Sequence, residues 1–303
     1  MHAQRRSGLS MIELLVILAI LGFLLALLLP AVQKVRQAAA RVQSQNNLKQ
    51  MGLACHSYHD AFKLLPPGNN KGNYSAAAHL LPFIEQNNLY QQINFNVAMD
   101  DKANAAVRQT HIAIFESPLD PQKQVNGQWG PTNYLFNAGS KPPLTDNDGV
   151  FYQDSKIRFT DIVDGTSNTL MIGETLKGDG GDKAVDVHRQ HVLLGKDALK
   201  GLKQESGVAE WKDGKHIAGD RCASWMDGRF LQGTFTGTRV LNDSRPDVNC
   251  GGAGGLSGLR SLDKGANVAF CDGSVRYLGG NISLETWHLL TARNDGLVLP
   301  DLE

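Results

Sequence analysis

Between Leu9 and Leu29 the only charged residue is Glu13. A carboxylate in a membrane helix costs about 2.5 to 3.5 kcal/mol on insertion scales, a cost relieved by a cation at the same depth or by a place at the headgroup level. Other residues that could do chemistry lie further along. His56, His59 and Asp60 share part of a helical face, as metal ligands at i and i+3 do; a packed helix surface is the plainer reading. His188 and His191, with Asp182 and Asp186 nearby, repeat that spacing. Asp146-Asn147-Asp148-Gly149 followed by Asp154 resembles part of an oxygen-ligand calcium loop, although the glutamate that closes an EF-hand at position twelve is absent. Calcium bound by Asp146, Asp148 and Asp154 is thus the one cofactor candidate, set against an ordinary Asp/Asn turn. No G-x-S-x-G elbow, phosphate loop or H-E-x-x-H helix occurs. Catalytic triads are drawn from scattered residues, so a hydrolase stays an alternative, but the expectation is a non-enzymatic chain.

The elements that must hold these residues begin with the apolar run. At about 1.5 Å per helical residue, residues 9–29 extend roughly 31 Å, matching the ~30 Å hydrocarbon core of a bilayer. An ordinary secretory signal, cut at Ala38-Ala39-Ala40, fits poorly, because the run exceeds an h-region of about 7 to 15 residues and the alanines follow Lys34 and Arg36. Arg5 and Arg6 on one side face Lys34, Arg36 and Arg41 on the other, so charge does not orient the span. Beyond Pro30 the helical stripe resumes at Ala31, Val35, Ala38 and Val42, and again at Leu48, Met51, Cys55, Tyr58 and Phe62, on either side of polar Gln43-Ser44-Gln45-Asn46-Asn47. Across that gap the stripe shifts by about 120°, which predicts that the two halves bury different faces. Pro66-Pro67-Gly68 ends the helix.

The chain holds 30 basic and 30 acidic side chains, so bulk charge points to no nucleic-acid partner. Its four cysteines form no C-x-x-C pair, which argues against a zinc ribbon or a thioredoxin-type site. Cys222 and Cys250, both in glycine-rich, loop-like sequence, are the first disulfide candidates if the head is exported.

The leader carries the sharpest motif. Arg5-Arg6-Ser7-Gly8 meets Leu9-Ser10-Met11-Ile12-Glu13, so a basic, polar stretch reaches an apolar helix at a glycine, with a carboxylate five residues on. This resembles the type III signal of type IV prepilins and pseudopilins. The resemblance implies that a prepilin peptidase cuts between Gly8 and Leu9 and methylates the new amino terminus. Glu13 is then the fifth mature residue, pairing with the amino terminus of a neighbouring pilin-like subunit. It also implies a single-pass protein of the cytoplasmic membrane with a periplasmic or extracellular head. Some pseudopilins bind calcium in that head.

In the head, Asp-Gly pairs recur beside β-like runs. The clearest is Asp272-Gly273, between Asn267-Val268-Ala269-Phe270-Cys271 and Ser274-Val275-Arg276-Tyr277-Leu278. A two-residue turn there predicts that Phe270 faces Val275 and Val268 faces Tyr277, all four on one side, with Ala269 and Arg276 on the other. A strand is expected at Thr169–Gly173 and a final helix capped by Ser283; residues 195–265 read as long loops anchored by Trp211, Trp225 and Phe230. The stretches Asn46–Ala54, Asp164–Thr169 with Glu174, and Phe270–Val275 resemble a pilin-like family of planctomycete-type bacteria labelled by a processing-associated His-x9-Asp-Gly motif. At the motif's histidine position this chain has Leu262.

The expected architecture is α+β and pilin-like. Residues 1–8 form a leader, 9–29 the transmembrane and assembly half of a long helix, 30–64 its second half packing on the head, and 65–303 a β-rich extracytoplasmic head. The expected function is a structural subunit of a type II secretion or type IV pilus-like assembly. A membrane-tethered module binding carbohydrate, protein or solute, and an anchored hydrolase, are the alternatives.

Overall fold

A computed structural model describes residues 11–300. The chain is α+β and divides between Val42 and Gln43 into two compact units. The described residues of the first are all helical: α1 (Met11–Phe62) begins there, continues into the second unit and keeps Pro30 in its interior. Lys63, at φ +61°, ends α1 in the left-handed conformation while its amide still bonds the His59 carbonyl at 2.7 Å. Helical backbone is thus abandoned just before Pro66-Pro67, as the residue preceding a proline requires.

The second unit is built on two sheets. In the larger, β5 (Thr234–Phe235), β1 (Tyr134–Asn137), β2 (Leu170–Glu174), β8 (Gly265–Phe270) and β9 (Val275–Gly279) lie side by side in that order. The smaller runs β4 (Ile217–Ala218), β3 (His191–Leu194), β6 (Asp247–Cys250), β7 (Gly255–Leu256). Short helices α2 (Ala76–Leu80), α3 (Asn87–Tyr90), α4 (Ala105–Arg108) and α5 (Val208–Lys212) fill the connections, and α6 (Leu284–Thr291) closes the chain, its first turn capped by the Ser283 hydroxyl.

Both faces of the larger sheet are covered at its centre, so β1, β2 and β8 are buried throughout rather than alternating, while the edge strand β9 is largely exposed. One face packs Tyr134, Phe136, Met171, Ile172, Ala269 and Cys271 against Leu48, Met51, Ala54 and Cys55 of α1. The other packs Leu135, Leu170, Val268, Phe270 and Leu278 against Trp287 and Leu290 of α6. Leu48 and Met51 are wholly buried, a gain of about 1.5–3 kcal/mol each over exposure.

Three expectations need correction. The β8–β9 hairpin is one residue out of the predicted register: Ala269 faces Val275, Val268 faces Arg276 and Asn267 faces Tyr277. The turn is a three-residue loop. The Gly273 amide bonds the Phe270 carbonyl, Phe270 pairs with Ser274, and Gly273 takes φ +78°, the type I turn with a left-handed third residue rather than the two-residue form. A slip of one flips every side chain on one strand. Val275 therefore packs on the α1 side, Tyr277 is partly exposed, and the Arg276 guanidinium lies 4.4 Å over the Phe270 ring. Second, residues 195–265 contain most of the smaller sheet, with Trp225 and Phe230 wholly buried. Third, residues 31–39 are exposed and burial on α1 starts at Ser44, so packing begins later than residue 30. Ser44 and Asn47 are buried, and the polar stretch carries the stripe onward instead of interrupting it.

Candidate assembly helix and the seam between helix and sheet

In the first unit, every large apolar side chain from Met11 to Leu29 is at least 49 % exposed. A core helix of a soluble protein buries such residues; one exposed all round for this length is matched to hydrocarbon or to other apolar helices. Among the described residues α1 alone is long and apolar enough to cross a membrane, and it provides a single-pass anchor. Glu13 lies in its first turn, within that apolar stretch. Gly8 and Leu9, the expected cleavage pair, lie outside the described residues.

In the second unit, α1 meets the larger sheet along a seam that mixes apolar packing with buried polar bonds. Asn47 Nδ2 donates to the Tyr134 hydroxyl (3.3 Å) and to the Glu116 carbonyl (3.1 Å), and Ser44 Oγ shares a 3.1 Å hydrogen bond with that hydroxyl. Gln45 Nε2 donates to Asn267 Oδ1 (3.2 Å), and Asn267 Nδ2 donates to Glu174 Oε2 (2.7 Å), whose other oxygen accepts from the Ser117 hydroxyl. Burial drives the Tyr134 phenol well above its ordinary pKa, so it stays protonated and available as a donor. Such a network contributes only when each member is paired. Tyr134→Phe should lower unfolding stability by about 1–3 kcal/mol, since it leaves Ser44 and Asn47 short of a partner; urea denaturation in detergent checks this.

Further along the seam, Lys49 Nζ donates to the Gly273 carbonyl at 2.7 Å. Gly52 lets the two elements approach closely: a Cβ there would lie 3.3 Å from Met171 Cε and 3.8 Å from Gly273 Cα. The turn itself is tied to the segment leading into β2, with Cys271 and Asp272 amides bonding the Thr169 and Thr166 carbonyls, both at 2.9 Å. The three stretches singled out in sequence, Asn46–Ala54, Asp164–Thr169 with Glu174, and Phe270–Val275, thus converge on one place. Leu262 sits apart from it, 62 % exposed on the loop before β8.

The other sequence candidates are dispersed. Asp146 and Asp154 are exposed and Asp148 is half-buried. The Asp148 carboxylate is taken up by the Ser140 amide (2.7 Å), the Ser140 hydroxyl (2.8 Å) and Lys141 (3.3 Å). Among the described residues no three His, Cys, Asp or Glu side chains are grouped to hold a metal, and the Asn147 side-chain oxygen is taken up by the Lys141 and Asp148 amides. His56 stacks on Phe159 at 4.4 Å between ring centroids, and His59 tilts against the same ring. His191 is buried in β3, which lowers its pKa, with Asp220 3.4 Å away. Cys222 and Cys250 are free thiols in separate apolar clusters, one against α6 and one beside the smaller sheet, and the expected bond between them is absent. Burial raises them to about 12 and about 11.

A feature with no local sequence signal joins the two sheets. Asp247 on β6, wholly buried, receives Arg221 Nη1 and Arg260 Nη2. Thr175 Oγ1, just past β2, accepts from Arg221 Nη2 (2.9 Å) and the Arg260 amide (3.0 Å). Burial opposes the Asp247 charge, but Arg260 and Arg221 outweigh it and hold the carboxyl below the usual range.

No curated protein and no solved structure matches the chain. The profile of one family covers residues 33–285, from the helix just beyond the apolar span to the start of α6. By that match the chain belongs to the SBP_bac_10 family, described as "Protein of unknown function (DUF1559)".

Proposed function

We propose that the chain is a non-enzymatic, pilin-like structural subunit of a type II secretion or type IV pilus-like assembly. The observation that carries this reading is the exposed, uncharged apolar stretch of α1, interrupted only by Glu13, in a helix whose later turns form part of the head's own core. Such a helix is accommodated by lipid in the monomer and by neighbouring helices in a fibre, so the same surface serves both states. A prepilin peptidase removes residues 1–8, the head lies in the periplasm or beyond, and the partners are other pilin-like subunits. Assembly, rather than turnover, is then the protein's work.

The test is the intact mass and N-terminal sequence of the protein isolated from native membranes. A chain starting at N-methylated Leu9 is expected. A chain starting at Met1 would make α1 a plain anchor, and one starting after Ala40 a cleaved signal; either overturns the proposal.

A further inference from the structure

The cysteines that sequence position alone would pair are apart, but the other two are brought to one place. Cys55 projects from α1 into the apolar cluster under the larger sheet, and Cys271, at the tip of the β8–β9 hairpin, projects into the same cluster. Their surroundings interlock. One turn before Cys55, Gly52 lies against Gly273; the next residue, His56, has its ring within 3.5 Å of where a Gly273 Cβ would stand; and Lys49 holds the Gly273 carbonyl. Hairpin tip and helix are thus in contact at residues flanking Cys55 in sequence, and both cysteines are free thiols. Both thiols are wholly buried.

We propose that Cys55 and Cys271 form a disulfide that fastens α1 to the β8–β9 hairpin when the head folds in an oxidising compartment. Each thiol loses a proton and the pair loses two electrons as the S–S bond forms. The oxidant is a second disulfide, which accepts those electrons and is released as two thiols by exchange through a mixed-disulfide intermediate. Such an oxidant is available where the proposed function places the head, and to that extent the inference rests on that reading. The bond forms before the seam closes. Burial raises both thiols above their ordinary pKa, and at Cys271 the nearby Cys55 adds to the rise, so once folded the reduced pair holds almost no thiolate to react. The same burial then shields the finished bond from reductants. It would close nearly the whole head into one covalent loop, the arrangement in which a crosslink most restricts the unfolded chain.

The test uses the full-length chain in detergent, unfolded in guanidinium, refolded in a mixture of reduced and oxidised glutathione, alkylated with N-ethylmaleimide and digested without reduction. The expected product is one linked peptide pair, Cys55 with Cys271, while Cys222 and Cys250 are alkylated. The double variant Cys222→Ser/Cys250→Ser should give the same linked pair, and dithiothreitol should release it only after denaturant is added. Four alkylated cysteines, or any other pairing, overturns the proposal. The same mapping on protein alkylated in native membranes separates it from the reading on which it rests. A linked pair there supports both. A pair that forms on refolding but is reduced in the membrane sample establishes the crosslinking geometry and overturns the extracytoplasmic placement of the head.

Discussion

Glu13→Ala should abolish assembly while leaving membrane insertion intact. The two effects separate by sign. Removing a carboxylate from an apolar span makes insertion easier, by up to about 2.5–3.5 kcal/mol. In the proposed assembly the same carboxylate would face a cationic amino terminus, and at about 4 Å and an effective dielectric of 20 that attraction would reach about 4 kcal/mol. Losing it weakens each subunit contact by as much as a thousandfold, and a polymer that makes such a contact at every step loses its register throughout. Membrane fractionation should find the variant in the same fraction and amount as the parent chain. The sheared-fibre fraction, and crosslinks between neighbouring α1 helices, should fall to background, with Glu13→Asp intermediate. Parental fibre yield from Glu13→Ala would leave the carboxylate without a role in assembly.

The largest expected effect on folding lies at Asp247. Asp247→Asn leaves the Arg221 and Arg260 guanidiniums buried without a counter-charge, and breaking a buried pair from one side costs about 3–5 kcal/mol. Urea unfolding followed by tryptophan fluorescence should report it, because Trp225 and Trp287 are wholly buried. The parent chain should show a matching acid response. The Asp247 carboxyl titrates lower folded than unfolded, so its contribution is complete above the unfolded value of about 3.9 and is lost as pH falls through the lower, folded one. The urea midpoint should therefore drop below about pH 4, and Asp247→Asn should flatten that part of the profile. A loss under 1 kcal/mol would mean that water or a rearranged partner reaches the two arginines.

What was legible in the sequence was local. The apolar run and the 3.6-residue stripe of α1 are written in consecutive residues, and Ser283 announces its helix by the chemistry of its side chain. The stretches that meet at the seam could be picked out individually, although their contact could not. The hairpin was recognised and its register missed by one, because Asp-Gly serves both a two-residue turn and a three-residue loop whose last residue is left-handed. The smaller sheet left no trace: β4 and β7 are two residues long, and β3 pairs in parallel with β6 more than fifty residues away, so neither alternation nor a turn signal marks them. Nothing in the sequence marks Arg221 and Arg260 for burial, since arginine is seldom buried unless a partner meets it, and here the partner is remote in sequence. The calcium candidate was read from neighbouring Asp and Asn residues and the Cys222–Cys250 pair from a shared glycine-rich context, and neither feature says which residues meet in space.

The seam has a mechanical consequence. Leu48, Met51 and Cys55 are residues of the helix and of the head's core at once, so the later turns of α1 cannot be displaced without opening the core against the larger sheet. Pulling the helix out would require shearing a row of buried side chains and the polar bonds beside them together, not peeling them one at a time. For the same reason, trimming the chain to a soluble fragment has a natural limit at Gln43: a cut that removes Ser44 through Leu48 takes away part of the core rather than a tether.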